Sequence, residues 1–283
     1  MADSRPVTII SDIHYGYAGS RVSRPAQLAP IFEASSLVIC NGDTTEQREE
    51  ASRRISGALL DELRSEAARY GCDMQFITGN HDPAASDTHH LDMCDGHVLV
   101  THGDVLFDSI TPWSSNSRYL KREYSRLLDE LSLDETGFFE RHLLANKQVS
   151  LMIAYRPPRV PANRLGHAML VLSELWPFYR PLQIIKAWID APKEAFRAID
   201  RFRPNAQIIV FGHVHFPGVW IDARGRYAVN TGSFTPPLGA AAFQIHENEA
   251  RYRTLKRMKR DVYHFTDAGR PIPLNAALIS NAP

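Results

Sequence analysis

Apolar, β-branched runs of about five residues recur through the first hundred positions, and each ends on a polar phrase. The runs are 7–11, 37–41, 74–78 and 97–101. A short continuous apolar run with a Gly or polar stop reads as a strand buried on both faces. Between the second and third runs, residues 46–70 are rich in Ala, Leu, Glu and Arg. Ile55, Leu59, Leu60 and Leu63 fall there at helical spacing, and Gly71 supplies a C-terminal stop. Strands alternating with a helix predict a largely parallel, layered α/β fold.

The pattern changes after Asp104. From about 115 to 202 the chain reads as helices with proline breaks. The helices are 119–131, 138–153, 165–176 and 191–202, and the breaks are Arg156-Pro157-Pro158-Arg159-Val160-Pro161, Pro177 and Pro181. This predicts a helical insertion between two halves of one sheet. Strands resume at 207–211, 227–230 and 241–246, with 251–255 a further candidate and Gly225 at a hairpin turn. The expected organisation is one domain over 1–265, an insertion over about 115–202, and a loop-like tail over 266–283.

Composition narrows the classes. A chain of 283 residues can bury a sizeable core. Lys+Arg and Asp+Glu both number 32, so no global charge argues for nucleic acid. Cys40, Cys72 and Cys94 are odd in number and lack metal-like spacing, which predicts reduced thiols. No apolar run reaches the ~18 residues that span a bilayer, and no signal peptide precedes the first strand, so a cytoplasmic location is expected.

The chemistry lies at the strand ends, where open α/β sheets bind ligands. Asp12 and His14 are two apart and point the same way in an extended segment. Asp43 follows the second strand; its carboxylate has two oxygens and can bridge two cations. Asn80 offers an amide oxygen after the third strand, His102 ends the fourth, and His213 and His215 repeat the two-apart spacing after the fifth. Each piece alone is explained by a helix cap, an Asx turn or a satisfied histidine. Five such pieces at successive strand ends favour a pair of adjacent cations. Mixed imidazole and carboxylate donors suit Mn, Fe or Zn better than Mg or Ca alone.

These residues resemble the calcineurin-like metallophosphoesterases. That pattern is Asp-x-His, Gly-Asp, Gly-Asn-His-Asp/Glu, a single His, then Gly-His-x-His. It is met in order by Asp12-Ile13-His14, Gly42-Asp43, Gly79-Asn80-His81-Asp82, His102 and Gly212-His213-Val214-His215. The resemblance spans about 7–233 and leaves the insertion unmatched. It implies a four-layer fold, a β-sandwich flanked by helices, with the site on loops at one edge. It implies one cation on Asp12, His14, Asp43 and His215, and another on Asp43, Asn80, His102 and His213. The expected cofactor is two divalent or mixed-valence metal ions, manganese first, with iron or zinc as alternatives. The implied reaction is phosphoester hydrolysis by a hydroxide bridging the two metals. His81 is then expected to face substrate and serve the leaving oxygen, with Asp82 fixing its orientation and raising its pKa. Asn230-Thr231-Gly232-Ser233 is expected to support the site, and Asp104 either to hydrogen-bond a histidine or to cap a turn.

The substrate is less legible. Gly42-Asp43-Thr44-Thr45-Glu46-Gln47-Arg48 departs from the Gly-Asp-x-x-Asp-Arg-Gly of the family's protein phosphatases, which disfavours a phosphoprotein. An insertion after His102-Gly103-Asp104 is similar in layout to the UDP-2,3-diacylglucosamine pyrophosphatases, although His81 stands where that branch commonly has Arg. Leu170, Val171, Leu172, Leu175, Trp176, Phe178, Leu182, Ile184, Ile185, Trp188 and Ile189 form an apolar block, with Arg118, Lys121, Arg122, Arg156, Arg159 and Arg164 near in sequence. Such a block suits a lid over a small or amphiphilic phosphate or a nucleotide diphosphate. A hairpin packed on the core, an oligomer interface and a peripheral membrane contact are the alternatives. Arg251, Arg253, Lys256, Arg257, Lys259 and Arg260 suit either a nucleic-acid phosphodiesterase or a charged edge strand. His89 and His90 fall in a polar stretch, 87–92, read as a surface loop. A non-catalytic scaffold is the remaining alternative.

Overall fold

The computed structural model describes residues 4–48, 50–114, 116–131, 137–153, 180–247, 249–258 and 261–274. In chain order the strands are β1 (Val7–Ile10), β2 (Leu37–Asn41), β3 (Asp73–Ile77), β4 (His90–Met93), β5 (Val98–Thr101), β6 (Ile208–Phe211), β7 (Gly218–Ile221), β8 (Tyr227–Asn230), β9 (Ala240–Ile245), β10 (Glu249–Arg257), β11 (Tyr263–Phe265) and β12 (Arg270–Pro273). The helices are α1 (Ala29–Glu33), α2 (Glu50–Ala68), α3 (Ser117–Glu130), α4 (Phe138–Met152) and α5 (Arg180–Phe202).

The strands form two sheets rather than one. The first runs β11-β10-β9-β1-β2-β3, with β12 also on β10; the second runs β4-β5-β6-β8-β7. β1, β2 and β3 are parallel, as are β5, β6 and β8, and the later strands add antiparallel edges.

Strand periodicity explains the layering. Ile9, Ile39 and Ile77 point inward and meet Val98, Val100, Val210 and Val229 of the other sheet. The intervening Ile10, Val38, Cys40 and Phe76 point outward onto Ile31, Phe32, Leu60 and Leu63 of α1 and α2. On the second sheet, Leu99, Ile209, Phe211 and Ala228 face Phe139, Leu143, Ala195 and Ile199 of α4 and α5. Strands buried on both faces read as unbroken apolar runs, which is why the sequence marks them so clearly. The result is the expected four layers, two sheets between two sets of helices.

The insertion is the crossover between neighbouring parallel strands β5 and β6. α3 packs on α4 through Leu120, Tyr124, Leu127, Ala145 and Val149. Arg203, just past α5, holds Asp92 of β4 at 3.0 Å and Glu140 of α4 at 2.9 Å, tying the insertion to the sheet edge.

Several expectations change here. α5 runs unbroken from Arg180 through both Pro181 and Pro192. Pro181 sits in the first turn, where a backbone N–H has no helical partner. Pro192 is tolerated because Ala187, Ala191, Ala195 and Ala198 bury the same helix. The stretch 87–92 is not all loop: His90–Met93 is an edge strand antiparallel to β5. The tail is not all loop either, since β12 pairs with β10 and buries Ile272 in the sandwich core. The expected helix 165–176, its flanking breaks at 156–161 and Pro177, the apolar residues 170–178, Arg156, Arg159, Arg164, Lys259, Arg260 and the tail beyond 274 lie outside the described residues. Among the described residues no helix is long and apolar enough to cross a membrane.

Candidate metal centre

The loops after β1, β2, β3, β5 and β6 meet at one edge of the sandwich. Asp12, His14, Asp43, His213 and His215 all adopt left-handed backbone there, with φ of 54°, 49°, 51°, 67° and 57°. For a residue with a Cβ this conformation costs about 1–2 kcal/mol. The loops are locked to one another: Asp12 N–H donates to Gly42 O (3.1 Å) and His14 N–H to Asp43 O (2.9 Å). Two glycines permit the close approach. A Cβ on Gly79 would collide with the Asp43 carboxylate and backbone nitrogen, and one on Gly212 with the Asp12 carboxylate and Ser11 hydroxyl.

The donor atoms converge on Asp43. Its Oδ2 lies 3.3 Å from His102 Nε2, and 3.9 Å from the Nε2 atoms of both His14 and His81. Asp12 Oδ1 lies 3.0 Å from His215 Nε2, which faces His14 Nε2 at 3.5 Å. Asn80 Oδ1 lies 3.1 Å from His102 Nε2. Three sets have all their ligating atoms within 4.8 Å of one another: Asp12, His14 and His215; Asp43, His102 and His213; and His14, Asp43 and His81. The structure thus brings every sequence-predicted ligand to one place, with Asp43 shared between sets.

Neighbouring groups aim these side chains. His102 Nδ1–H donates to the Asn41 carbonyl (3.0 Å), and His213 Nε2–H to the Ile110 carbonyl (2.7 Å). A carbonyl only accepts, so the opposite ring nitrogen of each histidine offers its lone pair to the site. The 230–233 phrase supports the loops as expected. Asn230 Nδ2 donates to Gly212 O (2.6 Å), Ser233 Oγ to Asp12 O (3.0 Å), and Ser11 Oγ pairs with Thr231 Oγ1 (2.6 Å). Asp104 takes the turn-capping alternative, accepting from Val105 N–H at 3.0 Å.

Asp82 is a correction. It does not orient His81. Its buried carboxylate accepts backbone N–H bonds from Gly79 (2.9 Å), Asp43 (2.9 Å), Thr44 (2.7 Å) and Thr45 (3.1 Å), fixing the Asp43 turn instead. Burial and the nearby Asp43 carboxylate push Asp82 up to about 8, against the pull of these donors. The partner of His81 is Glu46, whose Oε2 lies 2.6 Å from His81 Nδ1. Glu46 is 4% exposed. The carboxylate three residues after Asp43 was the available signal, since the phosphatase motif compared above has Asp there.

Electrostatics suit cations. Burial opposes ionisation of Asp12 and Asp43, but His215 beside the first and His102 and His81 beside the second hold both below the usual carboxylate range. Burial, reinforced by neighbouring imidazoles, pushes His14 and His213 down to about 3. Ionised carboxylates and neutral imidazoles are the forms that bind metal. Burial pulls His102 down, yet Asp43 holds it well above the ordinary histidine value; cation binding releases such a proton. The facing imidazole nitrogens, the shared carboxylate and the mixed N/O donor set fit a pair of metal ions.

A cavity of about 550 Å³ opens above these residues. Asp43, Asn80, His81, His213 and His215 form its floor, and Trp113, Leu120, Ile184 and Trp188 its apolar wall. Trp188 of α5 donates Nε1–H to Val214 O (2.8 Å) and stacks on Phe216 (5.1 Å), while Trp113 packs 5.3 Å from His213. The insertion therefore touches the Gly-His-Val-His loop directly.

Comparison with known proteins follows the same lines. The model of the calcineurin-like phosphoesterase family matches residues 5–217. No curated protein matches the chain. Solved structures that resemble it include a conserved uncharacterised protein, a predicted phosphoesterase, from Streptococcus pneumoniae (13% identity, 95% of this chain and 97% of that one, TM-score 0.38). Others are a dimetal phosphatase from Danio rerio (14%, 93% and 99%, 0.46) and Vacuolar Protein Sorting 29 from Cryptosporidium parvum (11%, 95% and 98%, 0.43). With the family's five motif elements joined at one sandwich edge and its model covering that whole edge, this chain belongs to the calcineurin-like phosphoesterase family.

Proposed function

We propose that the protein is a metal-dependent phosphoester hydrolase acting on a small or amphiphilic phosphate or a nucleotide diphosphate. Asp12, His14, Asp43 and His215 would hold one cation; Asp43, Asn80, His102 and His213 would hold the other. The observation that carries this reading is Asp43, buried between the two donor sets with His14, His81 and His102 within 3.9 Å of its Oδ2. Manganese suits these donors, with iron or zinc as alternatives. When bound, such ions supply Lewis acidity toward phosphoryl oxygens and lower the pKa of water.

The chain's own residues do the rest. Glu46 holds Nδ1 of His81, which leaves Nε2 to face the cavity floor. His81 then donates to the departing ester oxygen and steadies developing negative charge. Arg48, whose Nε–H donates to Asn80 O at 3.2 Å, lines the same cavity and adds positive charge for a phosphoryl oxygen. Leu120, Ile184 and Trp188 share that cavity with His81, which favours the lid reading of the insertion over a remote hairpin. The apolar wall also favours an amphiphilic diphosphate of the UDP-2,3-diacylglucosamine kind as a second reading. The basic segment is not the expected edge strand, since β10 pairs with β9 on one side and with β11 and β12 on the other; the pairing of Arg251 with Glu249, Arg253 with Asp267 and Arg257 with Asp261 still disfavours a nucleic-acid path.

The test is hydrolysis of p-nitrophenyl phosphate and bis(p-nitrophenyl) phosphate, with Mn²⁺ and with chelator. Turnover that requires the cation on either ester is the expected result. No metal-dependent turnover on both points to the non-catalytic scaffold.

A further inference from the structure

The N-terminal half of α5 runs out past the edge of the sandwich that carries the metal centre. Ala195 and Ile199 share a core with Ile209 of β6 and Ala228 of β8, within the second sheet. Trp188, nearer the start of the helix, has already passed the end of β6, since its Nε1–H donates to Val214 O at 2.8 Å. Arg180 is the first residue of the helix. At the α-helical rise it lies about 12 Å beyond Trp188 along the axis, away from the sheet.

Spacing keeps Arg180 over the same cavity. Residues 180, 184 and 188 recur at four-residue steps and share one helix face. Arg180, Ile184 and Trp188 all line the cavity above the metal centre. Outward from the Gly-His-Val-His loop, that wall therefore reads Trp188, Ile184, Arg180. Arg48 marks the other end, where its Nε–H donates to Asn80 O at 3.2 Å on the cavity floor. Two guanidiniums thus stand at the inner and outer ends of one cavity, with an apolar wall between them.

Charge in the cavity is one-sided. Asp43, turned to the ligand histidines, is the one carboxylate among the described residues that line it. Arg180 is half-buried and shares the lining with Ile153 and Ile184. A guanidinium in an apolar wall costs desolvation. Its planar fork matches paired carboxylate or phosphate oxygens, and an arriving anion offsets that cost. The scissile phosphate is not this anion, because the metal ligands and Arg48 receive it at the floor. Arg180 is left to a different group on the same molecule.

We propose that Arg180 is a specificity residue for a second, distal anion. The substrate is a phosphate ester that carries, across an apolar stretch, a carboxylate or further phosphate on the order of 10 Å from its phosphorus. This inference rests on the metal-dependent phosphoester reading. Its test is calorimetric titration of the Mn²⁺-loaded full chain with octylphosphonate, 8-phosphonooctanoate and octane-1,8-diphosphonate, none of which can be hydrolysed at phosphorus. At least one of the two ligands with a distal anion should bind about tenfold or more tighter than octylphosphonate, the usual worth of a charge-assisted hydrogen bond. Which of the two gains tells a distal carboxylate from a distal phosphate. Arg180→Gln, checked for folding by circular dichroism, should abolish that affinity ratio, and Arg180→Lys should keep part of it. A wild-type ratio near one, or a ratio unchanged in Arg180→Gln, would overturn the inference while metal-dependent octylphosphonate binding leaves the hydrolase reading standing. No phosphonate binding to the loaded chain, or binding indifferent to chelator, would overturn both.

Discussion

The strand-end loops and the helical insertion meet over one cavity but are built on different principles. In the loops, backbone geometry does the specifying. Five ligand candidates sit in left-handed conformations, two glycines make room for carboxylates, and Asp82 accepts four backbone N–H groups to hold the Asp43 turn. In the insertion, side-chain packing specifies instead. Ile184 and Trp188 face the cavity, while Leu182, Ile185 and Ile189 of the same helix are exposed. The difference separates two tasks. Positions that must hold charged groups within a few ångströms are over-determined by the sandwich edge. The cavity's apolar wall comes instead from an insertion whose last helix packs on the second sheet through Ala191, Ala195 and Ile199.

Breaking the loops should therefore cost far more than altering the insertion. The largest loss is expected for Asp43→Asn, with metal-dependent phosphoester turnover falling to the detection limit. Gly79→Ala should come close to it, because the added methyl overlaps both the Asp43 carboxylate and the Asp43 backbone nitrogen; turnover should collapse and the thermal midpoint should fall with it. His81→Ala should retain its metal and lose about 10²–10⁴-fold in kcat, the usual worth of a positioned acid. Glu46→Gln should lose about 10–100-fold, as a residue acting through His81, and show a displaced pH–rate profile.

How far the sequence carried each region follows from the same contrast. Val7, Leu37 and Ile208 open runs buried on both faces, so the strands and the donors at their ends were readable from pattern alone. Glu46 was not, because a left-handed turn at Asp43 places it against His81, and no periodicity reports a turn. β4 escaped because His90-Leu91-Asp92-Met93 is short, polar and at a sheet edge. β12 escaped because two of its four residues are proline, which ordinarily marks loop. In the insertion, prolines misled in another way: Pro181 looked like a break but occupies a first turn, and Pro192 lies inside a helix held by burial of alanines.

Two smaller effects sharpen the insertion's side of the comparison. Trp188→Ala removes a cavity wall, a stack on Phe216 and a hydrogen bond to Val214. It should raise KM for 1-naphthyl phosphate by about tenfold, in the range of one lost apolar contact surface, and change KM for glycerol 2-phosphate little. His142 on α4 lies between Tyr124 and Arg201, and burial with the Arg201 charge pushes its pKa down to about 4. The folded state thus favours neutral His142. Its contribution to stability is complete above the unfolded value near 6.5 and is lost as pH falls toward 4. The fall of the thermal midpoint over that window should be shallower in His142→Gln than in wild type.

The central claim is that Asp43 is shared by two cation positions. Equilibrium binding of Mn²⁺ to wild type and to Asp43→Asn tests it most directly. The account predicts two ions per wild-type chain and loss of at least one in the variant. A wild-type chain that binds one ion or none, or a variant that keeps two with unchanged affinity, would contradict it.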